Sequence, residues 1–196
     1  GHQLKTARRS LNILFQEWGN RGLHFWEVGN TNVTLIQGSS TNVNATDEGA
    51  GTYTFYRNAV DSAAAAAASP QATTVPTANV YGITDILNIG FRQNYNTTSQ
   101  SDVALTKVDR SAYSGTANKA TVGTPSQFWV QRFIDRVTLT LYPLPNAAAA
   151  AATSKLMVYY VKRIQDVGAF SNATDTPFRF VPCMVSGLTY LLSQKF

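Results

Sequence analysis

The stretch Arg136-Val137-Thr138-Leu139-Thr140-Leu141-Tyr142 decides the fold class. Val137, Leu139 and Leu141 alternate with Thr138, Thr140 and Tyr142. Successive side chains of a strand point to opposite faces, so this pattern predicts a strand with one face on a core. The flanking stretches 127–133 and 155–164 are rich in branched and aromatic residues and predict two more strands crowded around it. Farther out, 51–56 places Tyr53 and Phe55 on one face of a short strand, and 84–93 places Leu87, Ile89 and Phe91 on one side of another. Residues 23–28 and 32–37, joined through Gly29-Asn30, predict a hairpin. Residues 94–125 are turn-rich, with a short helix expected at 109–112. The count is six or seven largely antiparallel strands, and there is no internal repeat.

Both ends switch to helical spacing. Over 4–21, Leu4, Ala7, Leu11, Leu14, Phe15 and Trp18 recur every three or four residues, with Lys5, Arg9, Asn12 and Gln16 on the polar side. Gly19-Asn20-Arg21-Gly22 ends this helix, because Gly and Asn tolerate the left-handed conformation at a C-terminus. Pro182 suits a first helical turn, and Met184, Val185, Leu188, Leu191 and Leu192 follow as an apolar face. Gly187 allows close approach of a second helix or the sheet. The expected architecture is α+β, with the N-terminal and C-terminal helices packed together and a largely antiparallel β-sheet domain between them. Its parts are 1–22, the N-terminal helix; 23–181, the β-rich domain; and 182–196, the start of a C-terminal helix. Leu11, Leu14, Phe15 and Trp18 are expected to pack on Val185, Leu188 and Leu192.

Composition narrows the function classes. The 196 residues carry 16 Lys and Arg against 11 Asp and Glu, a net charge of +5, and only 14% are charged. About 25% is usual, so the surface must be covered largely by Asn, Thr, Ser and Gln. The 44% apolar content, with 3 Trp, 9 Tyr and 10 Phe, is enough for a proper core and excludes a disordered or fibrous chain. No run approaches the roughly 18 apolar residues of a membrane-spanning helix. Cys183 is the single cysteine, which excludes an intrachain disulfide and a cysteine zinc site. His2 and His24 are the two histidines, too few for a metal cluster. The basic residues are scattered, which argues against a dedicated DNA-reading module.

No catalytic constellation stands out. The chain lacks Gly-x-Ser-x-Gly, and Glu48-Gly49-Ala50-Gly51-Thr52 has neither the spacing nor the Lys of a nucleotide loop. His24, between Leu23 and Phe25, reads as a structural histidine. Asp47 with Glu48, or Asp102 with Asp109, are the imaginable acid/base pairs, with nothing to fix their separation. The Asn-x-Thr sequons at Asn32, Asn44, Asn96 and Asn172 reflect turn composition. Tyr159, Tyr160, Lys162 and Arg163 alternate along a strand and so are split between its faces. The expectation is a protein that is not an enzyme, with no cofactor and no metal. Lys5, Arg8 and Arg9 form the densest positive cluster, either a solvated face or a contact with an acidic subunit or DNA. The two six-alanine runs, 63–68 and 147–152, read as loops, either of low complexity or with side chains unassigned. The second is expected to close a hairpin from Tyr142 through Pro143, Leu144 and Pro145 to Lys155.

Two runs carry a resemblance. Ala7-Arg8-Arg9-Ser10-Leu11-Asn12, continuing through Trp18-Gly19-Asn20-Arg21-Gly22-Leu23-His24-Phe25-Trp26, resembles the signature of the head-to-tail adaptors, or tail tubular protein A-like proteins, of short-tailed bacteriophages. Arg132-Phe133-Ile134-Asp135-Arg136-Val137-Thr138-Leu139, with Tyr159-Tyr160-Val161-Lys162-Arg163 and Phe180-Val181-Pro182-Cys183-Met184-Val185-Ser186-Gly187-Leu188, is similar to adaptors of podovirus-type and related marine phages. The resemblance implies a homo-oligomeric, dodecameric ring of roughly twelve copies beneath the portal protein. Its helices would form a collar and its β domain would point to the tail nozzle protein. The lumen would pass genomic DNA with only transient, non-specific contact, in a virion assembled in the host cytoplasm and without a membrane partner. Lys5, Arg8 and Arg9 would then be subunit or portal contacts. The alanine loops, marked by Ala63, Ala68, Pro145, Ala147 and Ala152, would be nozzle contacts. Adaptors have further helix outside both motifs, so the chain is expected to be truncated at both ends. The alternatives are a carbohydrate-binding or fibre-associated β domain of a phage tail, and a tail hydrolase.

Overall fold

The computed structural model describes residues 2–23, 28–38, 51–57, 82–134, 136–162 and 176–195. In chain order its elements are α1 (His2–Asn20), β1 (Val28–Thr34), β2 (Thr52–Tyr56), β3 (Ile83–Gln93), β4 (Ser101–Ala104), β5 (Thr106–Val108), α2 (Arg110–Ser114), β6 (Val122–Gly123), β7 (Gln127–Arg132), β8 (Arg136–Tyr142), β9 (Leu144–Pro145), β10 (Lys155–Lys162) and α3 (Val181–Ser193). The fold is α+β, with a helix at each end and antiparallel-dominated sheets between. It divides into two compact units, Gly29–Lys162 and Gly1–Val28 with Arg163–Phe196.

The β unit is a sandwich. One sheet runs β1-β10-β3-β4 and the other β2-β8-β7-β5, with β6 and β9 a separate short pair. Val137, Leu139 and Leu141 of β8 are fully buried, as the alternation predicts, beside Tyr53 and Phe55 of β2 and Phe128 of β7. Ile86, Ile89 and Phe91 of β3 and Leu156 and Val158 of β10 complete the same core from the other sheet. The polar side of β8 departs from expectation, because Thr138 is buried opposite an equally buried Thr54. The two sheets share an edge. The chain leaves β4, steps through buried Leu105 and enters β5, with the Leu105 N–H on the Ile89 carbonyl at 3.0 Å and the Thr106 N–H on the Ser126 carbonyl at 2.9 Å.

Four sequence expectations about this unit need correction. Leu87 is exposed and does not share the face of Ile89 and Phe91; Ile86 is buried in its stead. The cause is a bulge opposite Tyr159 and Tyr160, where β3 has one residue too many and the inward parity slips. Gly29 and Asn30 are not a turn; they lie inside β1. A Cβ on Gly29 would sit 2.9 Å from the Tyr160 ring, so this glycine permits close packing within a strand. The strands number ten among the described residues, because three-residue and two-residue pieces such as β5 and β6 are too short to show a period. Two of the pairings, β5 with β7 and β6 with β9, are parallel. Finally, β8 and β10 belong to different sheets, so the second alanine run crosses the sandwich and closes no hairpin.

In the helical unit, α1 ends where expected. The Gly22 N–H meets the Gly19 carbonyl at 3.1 Å and the Leu23 N–H meets the Trp18 carbonyl at 3.1 Å. Gly22 has φ of +79°, and a Cβ added there would meet nothing within 4 Å, so backbone conformation alone calls for glycine. Pro182 lies in the first turn of α3. The helices do meet, and Gly187 is the contact: a Cβ there would stand 2.9 Å from both Leu14 methyls. Trp18 bridges the rings of Phe15, at 5.9 Å, and Phe180, at 6.4 Å. Val185 breaks the expected face, being exposed. An apolar helix offers several stripes, and its spacing alone does not say which one is covered.

Candidate interaction surfaces

Lys5, Arg8 and Arg9 are all exposed on α1. Lys5 and Arg9 stand four apart, so they share a face, while Arg8 is about 100° from Arg9 around the axis. The like-charged i,i+4 pair of Lys5 and Arg9 is unfavourable by about 0.2–0.5 kcal/mol. No acidic residue stands in the first turn to offset them. On the opposite flank the Lys195 amine donates to the fully buried Ser10 hydroxyl at 2.9 Å. Arg21 is paired with Glu17.

Asn146 accepts the Ala149 N–H at 2.8 Å through its side chain and the Ala150 N–H at 2.9 Å through its carbonyl, winding the second alanine run into a single turn. Ala149 enters the sandwich core, where its small side chain fits against the sheets. Pro145 is buried, and its carbonyl accepts the Gly38 N–H at 2.7 Å. Of the expected nozzle contacts, Ala147 and Ala152 are exposed, whereas Ala63 and Ala68 lie outside the described residues.

The imagined acid/base residues have structural work. Asp102 takes a two-pronged bond from Arg92, at 2.6 and 2.5 Å, which holds its carboxyl below the usual range. Asp109 caps α2, accepting the Ala112 N–H at 2.7 Å and the Ser111 hydroxyl at 2.9 Å, and these bonds likewise lower it. Asp85 binds Arg132 at 2.9 and 2.8 Å, tying β3 to β7 across the sandwich; partial burial pushes its carboxyl up, but the bonds and charge of Arg132 outweigh this and leave it lowered. Tyr53 is pushed up to about 12 by burial, although the Ile36 N–H donating to its oxygen at 3.0 Å acts the other way. His24, Asp47 and Glu48 lie outside the described residues. Among the described residues no group of three or more His, Cys, Asp or Glu is placed to hold a metal.

Sequence reasoning missed the exposed apolar residues. Ile134 is 96% exposed, Phe178 90%, Tyr190 64% and Val185 55%. Ile134 had a signal, a large apolar residue in a reversal between two strands. Tyr190 and Val185 had none, since every position of an apolar helix resembles core. Comparison with protein-family models, curated proteins and solved structures returned no match.

Proposed function

We propose that the chain is a structural virion subunit that forms a ring-shaped head-to-tail adaptor, joins the portal to the tail nozzle and lines part of the DNA conduit. The observation that carries the reading is the helical unit. Its α3 has no charged side chain over 13 residues and no fully buried one, so this helix leaves an uncharged surface, with Val185 and Tyr190 exposed on it, that neighbouring copies would cover. The Ala-Arg-Arg and Gly-Leu resemblances lie on α1 and α3. A weakly charged chain suits a conduit, because each phosphate neutralised by Lys or Arg adds a salt-sensitive grip on DNA. Negative-stain imaging and mass photometry, alone and with a purified portal, test it. Closed rings are expected; a chain that stays monomeric and ignores the portal refutes the reading. Reversing Arg8 and Arg9 to Glu is expected to disrupt portal docking or ring closure.

One observation favours the carbohydrate-binding alternative. Tyr95 and Tyr159 both lie near Arg92, and the Tyr95 hydroxyl accepts from the Asn32 amide at 3.4 Å, a polar and aromatic grouping of the kind that holds sugars. Binding on a glycan array that is lost in Tyr159→Ala distinguishes that reading.

A further inference from the structure

We propose that the outer face of the sheet β1-β10-β3-β4 carries a trough that binds a neutral pyranose of an oligosaccharide, seated over Gly90 between Arg92 and Tyr159. This rests on the carbohydrate reading above and names its site and its class of sugar. Ile89, Phe91, Leu156 and Val158 belong to the sandwich core, so Gly90 and Arg92 of β3 and Met157 and Tyr159 of β10 face the other way. The register sets these positions in rows. Arg92 stands between Asp102 on β4 and Lys155 on β10, and Gly90 between Ala104 and Met157. Asn88 and Tyr159 pair in the row beyond. A row floored by glycine and alanine thus runs between a row of long polar side chains and an aromatic one. A Cβ on Gly90 would meet nothing nearer than 3.8 Å, and both atoms at that distance belong to the flanking strands, so the space above the glycine is open.

The walls are braced. Arg92 binds Asp102 through two nitrogens, at 2.6 and 2.5 Å. Tyr159 on the other side is 38% exposed. Tyr95 closes the end towards β1. Its N–H is held by the Thr153 carbonyl at 2.6 Å and its hydroxyl accepts from the Asn32 amide on β1 at 3.4 Å, so its side chain spans the start of β10, which lies between β3 and β1. The Asn32 Oδ1 is buried with no hydrogen-bond partner, an acceptor that lacks a donor. A pyranose matches this set. Its C–H face stacks on a tyrosine ring, while its hydroxyls donate to carboxylate and amide oxygens and accept from a guanidinium. An anion matches it less well, because the Arg92 charge is already met by Asp102, whose carboxylate stands at the open edge of the trough on β4.

Titration of the full chain with neutral gluco-, galacto- and manno-oligosaccharides and with uronic-acid oligosaccharides, followed by saturation-transfer NMR, tests the site. At least one neutral series is expected to bind. Gly90→Val fills the trough with a residue that suits a strand, and it is expected to weaken that binding by roughly tenfold or more while the melting temperature holds. Tyr159→Ala is expected to do the same, whereas Tyr159→Phe, which keeps the ring, should keep most of the affinity. Neutral sugars that bind Gly90→Val and Tyr159→Ala as they bind the parent overturn the trough and leave the carbohydrate reading standing. Binding of uronic-acid chains alone overturns the neutral class. A parent chain that binds none of these sugars overturns the carbohydrate reading itself, a different failure.

Discussion

The sandwich and the helix pair bury their apolar residues to different depths. In the sandwich, Tyr53, Phe55, Phe91, Phe128 and a set of Ile, Leu and Val side chains are almost wholly removed from water, and the core draws on both sheets. In the helical unit, the buried described residues are Ser10, Leu14 and Phe15, all on α1, while α3 has none. The difference teaches where each unit's stability comes from. Two facing sheets enclose a volume; two helices meet along a line and leave their outer stripes open. On the proposed ring reading, neighbouring copies cover the second unit, and its stability is then expected to depend on assembly while the sandwich's does not.

Breaking the deeper unit should have the largest effect. Leu139→Ala removes a fully buried side chain from the middle strand and is expected to cost about 3–5 kcal/mol in urea unfolding, whatever the protein concentration. A cost below 1 kcal/mol would show that the sandwich core collapses around the gap.

Alkaline titration sharpens the contrast from the same core. The Tyr53 pKa is raised from 10.0 to about 12, so the fold favours the neutral phenol. Its contribution is whole below pH 10 and is lost as pH rises towards 12, because the unfolded chain releases the proton first. Stability is therefore expected to fall over that window, and to fall less steeply in Tyr53→Phe. Equal slopes in the two chains would rule Tyr53 out as the titrating group.

Trp18→Ala addresses the helix pair. The ring is half-buried between Phe15 and Phe180, so the expected cost is about 2 kcal/mol, below that of a fully buried aromatic. The melting temperature of this variant should also depend on protein concentration more than the parent's does. An unchanged melting temperature at every concentration would sink the helix pairing.

The smallest expected effect is at Gly187. Gly187→Val forces atoms against the Leu14 methyls and is expected to cost about 1–2 kcal/mol; adding Leu14→Ala makes room and should recover part of it. If the two losses simply add, the helices do not meet at this pair.

Much of the fold was legible because the signals were local. The run from Val137 to Leu141 needed only its period, and Gly22 only the need for a positive φ at a helix end. The errors arose where one residue's role depended on another far away in sequence. Leu87 left the core because of a bulge against β10, and Gly29 stayed in a strand because Tyr160 occupies the space a side chain would take. The candidate surfaces divide the same way. Lys5, Arg8 and Arg9 are visible in any reading of α1, whereas Asp102 and Asp109 looked free to do chemistry until Arg92 and the turn at Ala112 were found beside them.

By itself the sequence determined the element types at both ends and the middle strand, the glycine that ends α1, and the lack of a charged residue in α3. These follow from side-chain period, backbone freedom and composition, which are properties of short stretches. Only the tertiary structure decided that β8 and β10 lie in different sheets, that the second alanine run packs Ala149 into the core, and which residues of α3 stay open. Each of these turns on which distant segments share a surface, and apolar spacing says that a face is to be covered without saying by what.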